Sequence, residues 1–355
     1  MGQPESRAPI ATDRPSGVPW PPGSATGVGS LPGTDIVEAV RLVFDELPDF
    51  PHLPELPARG PGADLIGRGA AFLVDLHVDL QPSGWRLTDR PGIDARRASD
   101  FLSRDLDALE EYAADYTGAL KLQAAGPWTL AASLERTRGD RALADMGACR
   151  DIATSLAEGL VAHIADVQRR VRGATVCLQL DEPSLPAVLA GQVPSATGYR
   201  TVAPIDEPVA VEILRDVTAR IEGQNAVPIA HCCAPHPPVT QLRSAGMRGV
   251  GVDALLMTAR DDEALGEGVE AGLSLFLGLL PTLGPGAPPT VREVVAPARA
   301  LWRRLGFDPE QLGSTVVVTP SCGLAGASPG WARTAMRLAR QAGRVLVESP
   351  EVGES

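Results

Sequence analysis

The stretch ATVCLQLDEP (174–183) decides the fold, because a run of apolar residues ends there in two carboxylates followed by a proline. Near-continuous Val, Leu and Ala suit a strand that is buried on both faces, which is typical of a parallel sheet between helices. Similar runs recur along the chain. The other strand candidates are ATGVG (25–29), ALKLQAAG (119–126), VPIAHCC (227–233), RGVGVD (248–253), LSLFLGLL (273–280) and STVVVTPSCG (314–323).

Longer amphipathic stretches separate these runs and predict helices. In one of them Ala210, Leu214 and Val217 fall on a single helical face. Regular alternation of strand and helix without a sharp linker predicts a single (β/α)8 TIM barrel, an α/β fold, and an open doubly wound sheet is the alternative. The predicted helices lie near 98–116, 141–171, 207–222, 262–271, 290–305 and 330–346.

The chain is predicted to hold one folded domain. Residues 1–24 are rich in proline, glycine and serine without hydrophobic periodicity, so we expect a disordered leader there. The barrel is then expected over residues 25–350. The proline-rich stretch 46–64 is expected to be a long insert after the first helix, of the kind that often forms a lid.

The composition limits the classes of partner. The chain has 355 residues with 44 Asp+Glu against 32 Lys+Arg, a net charge of −12. Because such a surface repels polyphosphate, nucleic acid is not expected as a partner. No apolar run reaches the roughly 20 residues that span a bilayer, and the start lacks the apolar centre of a secretory signal. We therefore expect a cytoplasmic protein without a membrane partner.

Three predicted strands end in potential metal ligands. VPIAHCC ends in His231, Cys232 and Cys233, GVGVD ends in Asp253, and VVVTPSC ends in Cys322. The carboxyl ends of barrel strands share one rim, and residues two apart on an extended chain point the same way. His231 and Cys233 can therefore bind one ion together while Cys232 points away. Two thiolates and an imidazole, with the carboxylate of Asp253, favour zinc over magnesium or calcium.

The alternative is that these residues are buried core side chains, since cysteine often packs as a small apolar group. A second cysteine at a separate strand end, Cys322, argues for the metal. Cys177, inside an apolar run, and Cys149, on a predicted helix, are instead expected in the core. His236, in a proline-rich loop, is expected to be exposed and not a ligand.

Six segments together resemble the catalytic, carboxyl-terminal barrel of cobalamin-independent methionine synthase, in order and in approximate spacing. The resemblance runs from about residue 25 to about residue 345. Each motif is weak alone, and several in the right order are specific. The segments are TGVGSLPGT (26–34), AAGPWTL (124–130), LQLDEPSL (178–185), HCC (231–233), VGVD (250–253) and VTPSCGL (318–324).

The resemblance implies a (β/α)8 barrel that transfers a methyl group to the thiol of homocysteine and forms methionine. By residue-wise match, His231, Cys233 and Cys322 would be zinc ligands, and Asp253 stands where the family usually has a ligating Glu. Ser30 and Asp181 match positions that hold the carboxylate and the amino group of the amino acid. The family's acidic HGE segment lacks a clear counterpart, and Glu55 is a weak substitute for it.

Zinc makes chemical sense for this reaction. A free alkyl thiol has a pKa of about 8 to 9, so little thiolate exists at neutral pH. Coordination to zinc deprotonates the thiol, and two protein thiolates leave its sulfur nucleophilic. A structural zinc with a closed ligand shell is the alternative.

The methyl donor is left open between methyltetrahydrofolate and a methyl-corrinoid such as methylcobalamin, free or on a corrinoid protein. The segment 277–290 has no histidine where the long enzymes carry a proposed proton donor. Folate needs its leaving nitrogen protonated, whereas methylcobalamin does not, and short single-barrel relatives are thought to use a donor of the latter kind.

Three other functions remain as alternatives. A methyltransferase for another small thiol, of the coenzyme M type, would use the same kind of zinc site. A porphyrinogen decarboxylase-like barrel would work without metal, and the cysteine motifs would then be incidental. A non-catalytic metal-binding or corrinoid-binding protein would keep the site without turnover.

Overall fold

A computed structural model describes residues 17–350 as twelve α-helices, three short 3-10 helices and eight strands. The strands are β1 His77–Gln81, β2 Gly84–Thr88, β3 Gly118–Ala125, β4 Ala174–Asp181, β5 Val227–Cys232, β6 Gly249–Asp253, β7 Ser274–Leu280 and β8 Val316–Pro320. The α-helices are α1 Ile36–Glu46, α2 Leu65–Ala70, α3 Ile93–Ala113, α4 Pro127–Ser133, α5 Met146–Arg170, α6 Leu185–Leu189, α7 Glu207–Glu222, α8 Val239–Ser244, α9 Asp262–Glu270, α10 Val291–Leu305, α11 Leu312–Thr315 and α12 Pro329–Glu348. The 3-10 helices are Pro57–Arg59, Ala142–Ala144 and Pro309–Gln311.

Strands β3 to β8 form one parallel sheet in chain order, and each is joined to the next by at least one helix. The α/β class and six of the seven predicted strands are therefore confirmed. The predicted helix 207–222 coincides with α7, and the other predicted helices overlap helices of the structure. β1 and β2 form a separate antiparallel hairpin that the sequence did not signal, since its residues are only half-buried.

Eight regular barrel strands, as predicted, are not formed, because the amino-terminal part of the chain contributes no regular strand to the sheet. ATGVG (25–29) has only an isolated bridge from Ala25 to Val318 of β8. A second extended segment, 51–55, bonds β3 at Lys121 and bonds the first segment through Glu55. Glycine and proline interrupt both segments, and proline lacks the N–H that a sheet ladder needs. The sheet is thus curled and six-stranded, with these segments along its edges.

The predicted leader is too long. Residues 1–16 lie outside the described part of the chain, but residues 17–24 are folded onto the sheet. Trp20 is only 5% exposed, and its ring lies 5.2 Å from those of Phe50 and Phe276. The carbonyl of Ser24 accepts a hydrogen bond from the N–H of Val318 at 3.1 Å. The sequence did not indicate this contact, because a single tryptophan among prolines and glycines produces no hydrophobic periodicity.

The proline-rich stretch 46–64 is not a loose lid. Phe50, Leu53 and Leu56 are fully buried in it, so the stretch belongs to the core of the protein. These three apolar residues recur at every third position. The prediction of a lid rested on the prolines and did not use this pattern. The stretch thereby carries Glu55 into the interior.

The helices cover the sheet through one apolar face each. In α12, for example, Trp331, Ala335, Leu338 and Ala342 are buried while intervening residues are exposed. Within residues 17–350, no helix combines the length and the apolar character needed to cross a membrane.

Candidate metal centre

Three of the four predicted ligands converge. The ligand atoms of His231, Cys233 and Cys322 all lie within 4.8 Å of one another. The two sulfur atoms are 3.2 Å apart. His231 is the penultimate residue of β5, Cys233 directly follows β5, and Cys322 follows β8 by two residues. The structure therefore assembles one imidazole and two thiols from two distant parts of the chain.

This convergence requires the curl of the sheet. β5 and β8 are three strands apart, and at about 4.8 Å per strand they would be about 14 Å apart in a flat sheet. Cysteine side chains are too short to cover that distance. The sheet must therefore curve until the carboxyl ends of β5 and β8 face each other across its concave side.

Asp253 is not brought into this group, so the predicted four-residue ligand set is not assembled. Among residues 17–350, the group of metal-type ligands that the structure brings together contains three residues. Asp253 ends β6, and its Oδ1 accepts a hydrogen bond from the N–H of Leu255 at 3.0 Å. The side chain of Asp253, which is shorter than that of Glu, is held by this hydrogen bond within its own turn. Three protein ligands with a further position open is the pattern of catalytic rather than structural zinc sites.

The imidazole of His231 is oriented by Asp181. Its Nδ1 lies 2.9 Å from Asp181 Oδ1, while its Nε2 is buried without a hydrogen-bond partner among the described residues. Burial lowers the pKa of His231, but the hydrogen bond and charge of Asp181 outweigh it and leave a net rise. A carboxylate on one ring nitrogen with the other nitrogen free is the usual arrangement around a metal-bound histidine. The orphaned Nε2 beside two thiols therefore fits a zinc ion.

The two thiols differ in acidity. The hydrogen bond with Cys233 lowers the pKa of Cys322 to about 6, and His231 and the N–H of Gly323 act in the same direction. The same hydrogen bond raises the pKa of Cys233. The pair thus holds one thiolate readily, and a soft cation would displace the remaining proton.

The predicted substrate residues line the same cavity as the thiols. Ser30, Glu55 and Asp181 surround a cavity of about 120 Å³ together with the three metal-type ligands. Drug-sized ligands occupy about 300–1,000 Å³, so this space suits a small amino acid. A larger second substrate would have to dock at its mouth.

Glu55 enters the cavity from a charged cluster. Its Oε1 lies 3.1 Å from Arg68 Nε, and Arg68 also binds Asp105 at 2.6 Å. Arg59 binds the other oxygen of Asp105 at 2.6 Å. Burial raises the pKa of Glu55 to about 7, although Arg68 pulls it down. The cluster therefore holds a carboxyl group that titrates near neutrality.

Ser30 is placed by the turn after β8. The carbonyl of Ser30 accepts a hydrogen bond from Leu324 N at 2.8 Å, and a Cβ on Gly323 would lie 2.0 Å from Ser30 Oγ. The absence of a side chain at Gly323 thus lets the hydroxyl sit beside Cys322. Ser30 does not cap the following helix, because α1 begins at Ile36 and Asp35 caps it.

Several buried polar residues near the site were not predicted. Lys121, Gln123 and Gln179 are buried beneath the cavity, and Glu182 accepts hydrogen bonds from Trp128 N and from the N–H and hydroxyl of Thr129 at the start of α4. The available signal was polar residues at alternate positions in apolar strands, KLQ (121–123) and QLD (179–181), which must face one side.

The predicted burial of Cys149 and Cys177 and the predicted exposure of His236 are confirmed. Cys149 and Cys177 are buried in the core, and Cys232 is buried outside the ligand group. The side chain of His236 is half-exposed, and its Nδ1 lies 3.0 Å from Asp261 Oδ1. That contact ties the loop after β5 to the loop after β6.

With the fold and site established, comparison with known proteins defines the family. Residues 24–345 match the family described as "Cobalamin-independent synthase, Catalytic domain". The chain therefore belongs to this family, as the resemblance of its motifs indicated. No curated protein matches the chain significantly.

Among solved structures, the chain is similar to a B12-independent methionine synthase from Shewanella sp. W3-18-1, solved in complex with selenomethionine. The TM-score is 0.57 at 11% identity, over 92% of this chain and 98% of that chain. At this identity the likeness concerns the fold, and the two chains have nearly the same extent. Two other solved structures are more distant and carry no argument about this chain. One is an aldo-keto reductase from Bacillus halodurans, with a TM-score of 0.36 at 11% identity over 94% of each chain. The other is 2,3-dimethylmalate lyase, with a TM-score of 0.31 at 14% identity over 70% of this chain and 69% of that chain.

Proposed function

We propose that the protein is a zinc-dependent methyltransferase that methylates the thiol of homocysteine to form methionine. The observation that carries the proposal is the convergence of His231, Cys233 and Cys322 beside a small cavity lined by Ser30, Glu55 and Asp181. Family membership supports methyl transfer by a methionine synthase-like domain.

The cavity has groups for each end of the amino acid. The carboxyl groups of Glu55 and Asp181 suit the ammonium group, and the hydroxyl of Ser30 suits the carboxylate. Asp181 already accepts hydrogen bonds from His231 and Gln179 through Oδ1, which leaves Oδ2 for the substrate. Homocysteine bound in this way would direct its sulfur towards the two thiols.

His231, Cys233 and Cys322 would hold the zinc, with Asp253 still a candidate for a carboxylate that approaches when the ion is bound. Zinc at this place would keep the substrate sulfur deprotonated and nucleophilic. The chain itself orients the imidazole through Asp181, and Pro57, Leu65 and Pro183 contribute apolar walls to the cavity.

The donor is proposed to dock at the cavity mouth, because the cavity holds only the small acceptor. Methyltetrahydrofolate is one candidate, and it requires a proton for its leaving nitrogen. Methylcobalamin is the other and requires none. The half-exposed His236, three residues beyond Cys233, is one candidate group to supply that proton.

A zinc and turnover assay tests the proposal. We expect one zinc per chain, and methionine from homocysteine with methyltetrahydrofolate or with methylcobalamin as donor. Methylation of 2-mercaptoethanesulfonate in preference to homocysteine would instead favour the coenzyme M type of reaction. A protein that binds no zinc would contradict the proposal, and bound zinc without turnover with either donor would indicate a binding protein.

Replacing Glu55 by glutamine is expected to remove one component of the pH dependence of homocysteine binding. Because the pKa of Glu55 is raised to about 7, lowering the pH below 7 protonates it and weakens its attraction for an ammonium group. Below pH 7, the affinity for homocysteine should therefore fall more steeply in the native protein than in Glu55→Gln. The difference should be up to about tenfold per pH unit.

Calorimetric titration of zinc-loaded protein between pH 5.5 and about 8 would measure this difference. Release of the thiol proton affects both proteins equally and cancels in the ratio of their affinities. A ratio that is constant across this range would show that Glu55 does not bind the ammonium group.

A further inference from the structure

The chain contains a single lysine, and it is buried under the candidate site. Of the 32 Lys+Arg residues, every one except Lys121 is arginine. Lys121 lies on β3 with no exposed side-chain area. Burial of an ammonium group is costly unless it is paired and hydrogen-bonded. The one place where this chain uses a compact ammonium instead of a guanidinium is therefore inside the protein, where it needs a specific reason.

The ammonium group bonds the segment that carries Ser30. Lys121 Nζ donates to the carbonyl oxygen of Val28 at 2.8 Å and lies 3.4 Å from Gln123 Oε1. Val28 lines the cavity two residues before Ser30. The segment is irregular and has few ladder hydrogen bonds of its own, so this buried contact fixes its depth in the protein.

Gln179 converges on the same carbonyl and extends the connection to the metal-type ligands. Its Nε2 donates to Val28 O at 2.9 Å and to Asp181 Oδ1 at 2.8 Å. Asp181 Oδ1 in turn holds His231 Nδ1 at 2.9 Å. A continuous set of buried hydrogen bonds thus joins Lys121 to both the acceptor side and the ligand side of the cavity.

The charges agree with this arrangement. Burial lowers the pKa of Lys121 to about 8, while Asp181 and Glu55 raise it, so the group is mainly cationic at neutral pH. A cavity that gathers two thiols, two carboxyl groups and an incoming thiol accumulates negative charge. A buried cation beneath it offsets part of that charge, and the compact ammonium of lysine can donate to a backbone carbonyl without the planar fork of a guanidinium.

We propose that Lys121 is a positioning residue, whose ammonium group holds the Ser30 segment and the Asp181–His231 pair in the arrangement that receives an amino-acid thiol. The inference rests on the proposed function for the identity of the acceptor. It assigns to Lys121 an effect on acceptor binding, beyond the general stabilisation that any buried hydrogen bond gives.

The test compares Lys121→Met with Ser155→Ala. Methionine keeps approximately the length of the lysine side chain and removes its positive charge. Ser155 is a matched control, because its hydroxyl also donates to a distant backbone carbonyl, that of Val74 at 2.6 Å. We expect Lys121→Met to weaken homocysteine binding by the zinc-loaded protein about 10–100-fold, as loss of outer partners of a metal site does. The control should leave this affinity unchanged.

The single lysine also gives a direct spectroscopic readout. Labelling the native protein with nitrogen-15 lysine yields one side-chain ammonium signal in the NMR spectrum. We expect homocysteine to shift this signal in the zinc-loaded protein. An unshifted signal, together with Lys121→Met affinity within about twofold of the native value, would overturn the inference while leaving the proposed function intact.

Two further outcomes are distinguishable. If the native protein binds neither zinc nor homocysteine, the proposed function fails first. If Lys121→Met does not fold, Gln179→Met removes the other donor to Val28 and keeps the charge, and it should weaken acceptor binding in the same direction. Unchanged binding in Gln179→Met would then count against the inference.

Discussion

We expect Cys233→Ser and Cys322→Ser each to abolish the proposed stoichiometric zinc binding and the proposed methyl transfer to homocysteine. Each change removes one of three converging ligands, and a serine hydroxyl is a much poorer partner for a soft site than a thiolate. Because loss of an outer partner alone costs about 10–100-fold, loss of a direct ligand should weaken zinc binding by more than about 100-fold. Zinc content after dialysis and initial rates of methionine formation measure the two effects.

The matched control is Cys149→Ser, which changes a buried cysteine far along the chain. Its Sγ lies 3.6 Å from the carbonyl oxygen of Ala142, a contact that a serine hydroxyl can keep. We expect full zinc content and activity in this variant. If Cys233→Ser and Cys322→Ser both retained native zinc affinity, the two thiols would not be ligands and the proposed function would lose its basis.

Asp105→Ala will cause the largest loss of stability among the changes considered. Asp105 has no exposed side-chain area and binds the guanidinium groups of Arg59 and Arg68. Removing one partner of a buried ion pair leaves uncompensated charge and costs about 3–5 kcal/mol. Chemical denaturation followed by both fluorescence and circular dichroism would measure the change in the free energy of unfolding, provided the two transitions coincide.

Glu110→Ala provides the comparison, since the side chain of Glu110 is half-exposed and pairs with Arg170 at 2.6 Å. Exposed pairs contribute about 0–1 kcal/mol, so this variant should remain near native stability. Equal effects of the two substitutions would mean that the buried cluster does not stabilise the fold. Asp105→Ala should also weaken homocysteine binding, because Arg68 then lacks the anchor that directs it to Glu55.

The regular part of the fold and the centre of the site could be predicted from the sequence. Buried parallel strands are read from continuous apolar runs, and the carboxyl ends of such strands meet at one rim. That reasoning predicted that His231, Cys233 and Cys322 lie close together, although 89 residues separate Cys233 from Cys322. The structure places the three side chains in one group.

The irregular part could not be predicted in the same way. The segments around Ser30 and Glu55 bond the sheet through single bridges, which leave no periodic pattern. The position of Asp253 depended on side-chain reach, since a local hydrogen bond to Leu255 competes with ligation. Strand periodicity predicts which face a residue occupies, whereas these outcomes depend on distances of one or two ångströms.

The aromatic contact at Trp20 bears on how small a working version of this protein can be. The ring packs on Phe50 and Phe276, within a cluster of buried residues separate from the main core. A chain trimmed to start at residue 25 would keep every candidate ligand and substrate residue and yet open this cluster to water. The folded unit is therefore longer than its candidate site residues suggest, and we expect the shortened chain to unfold at a lower temperature.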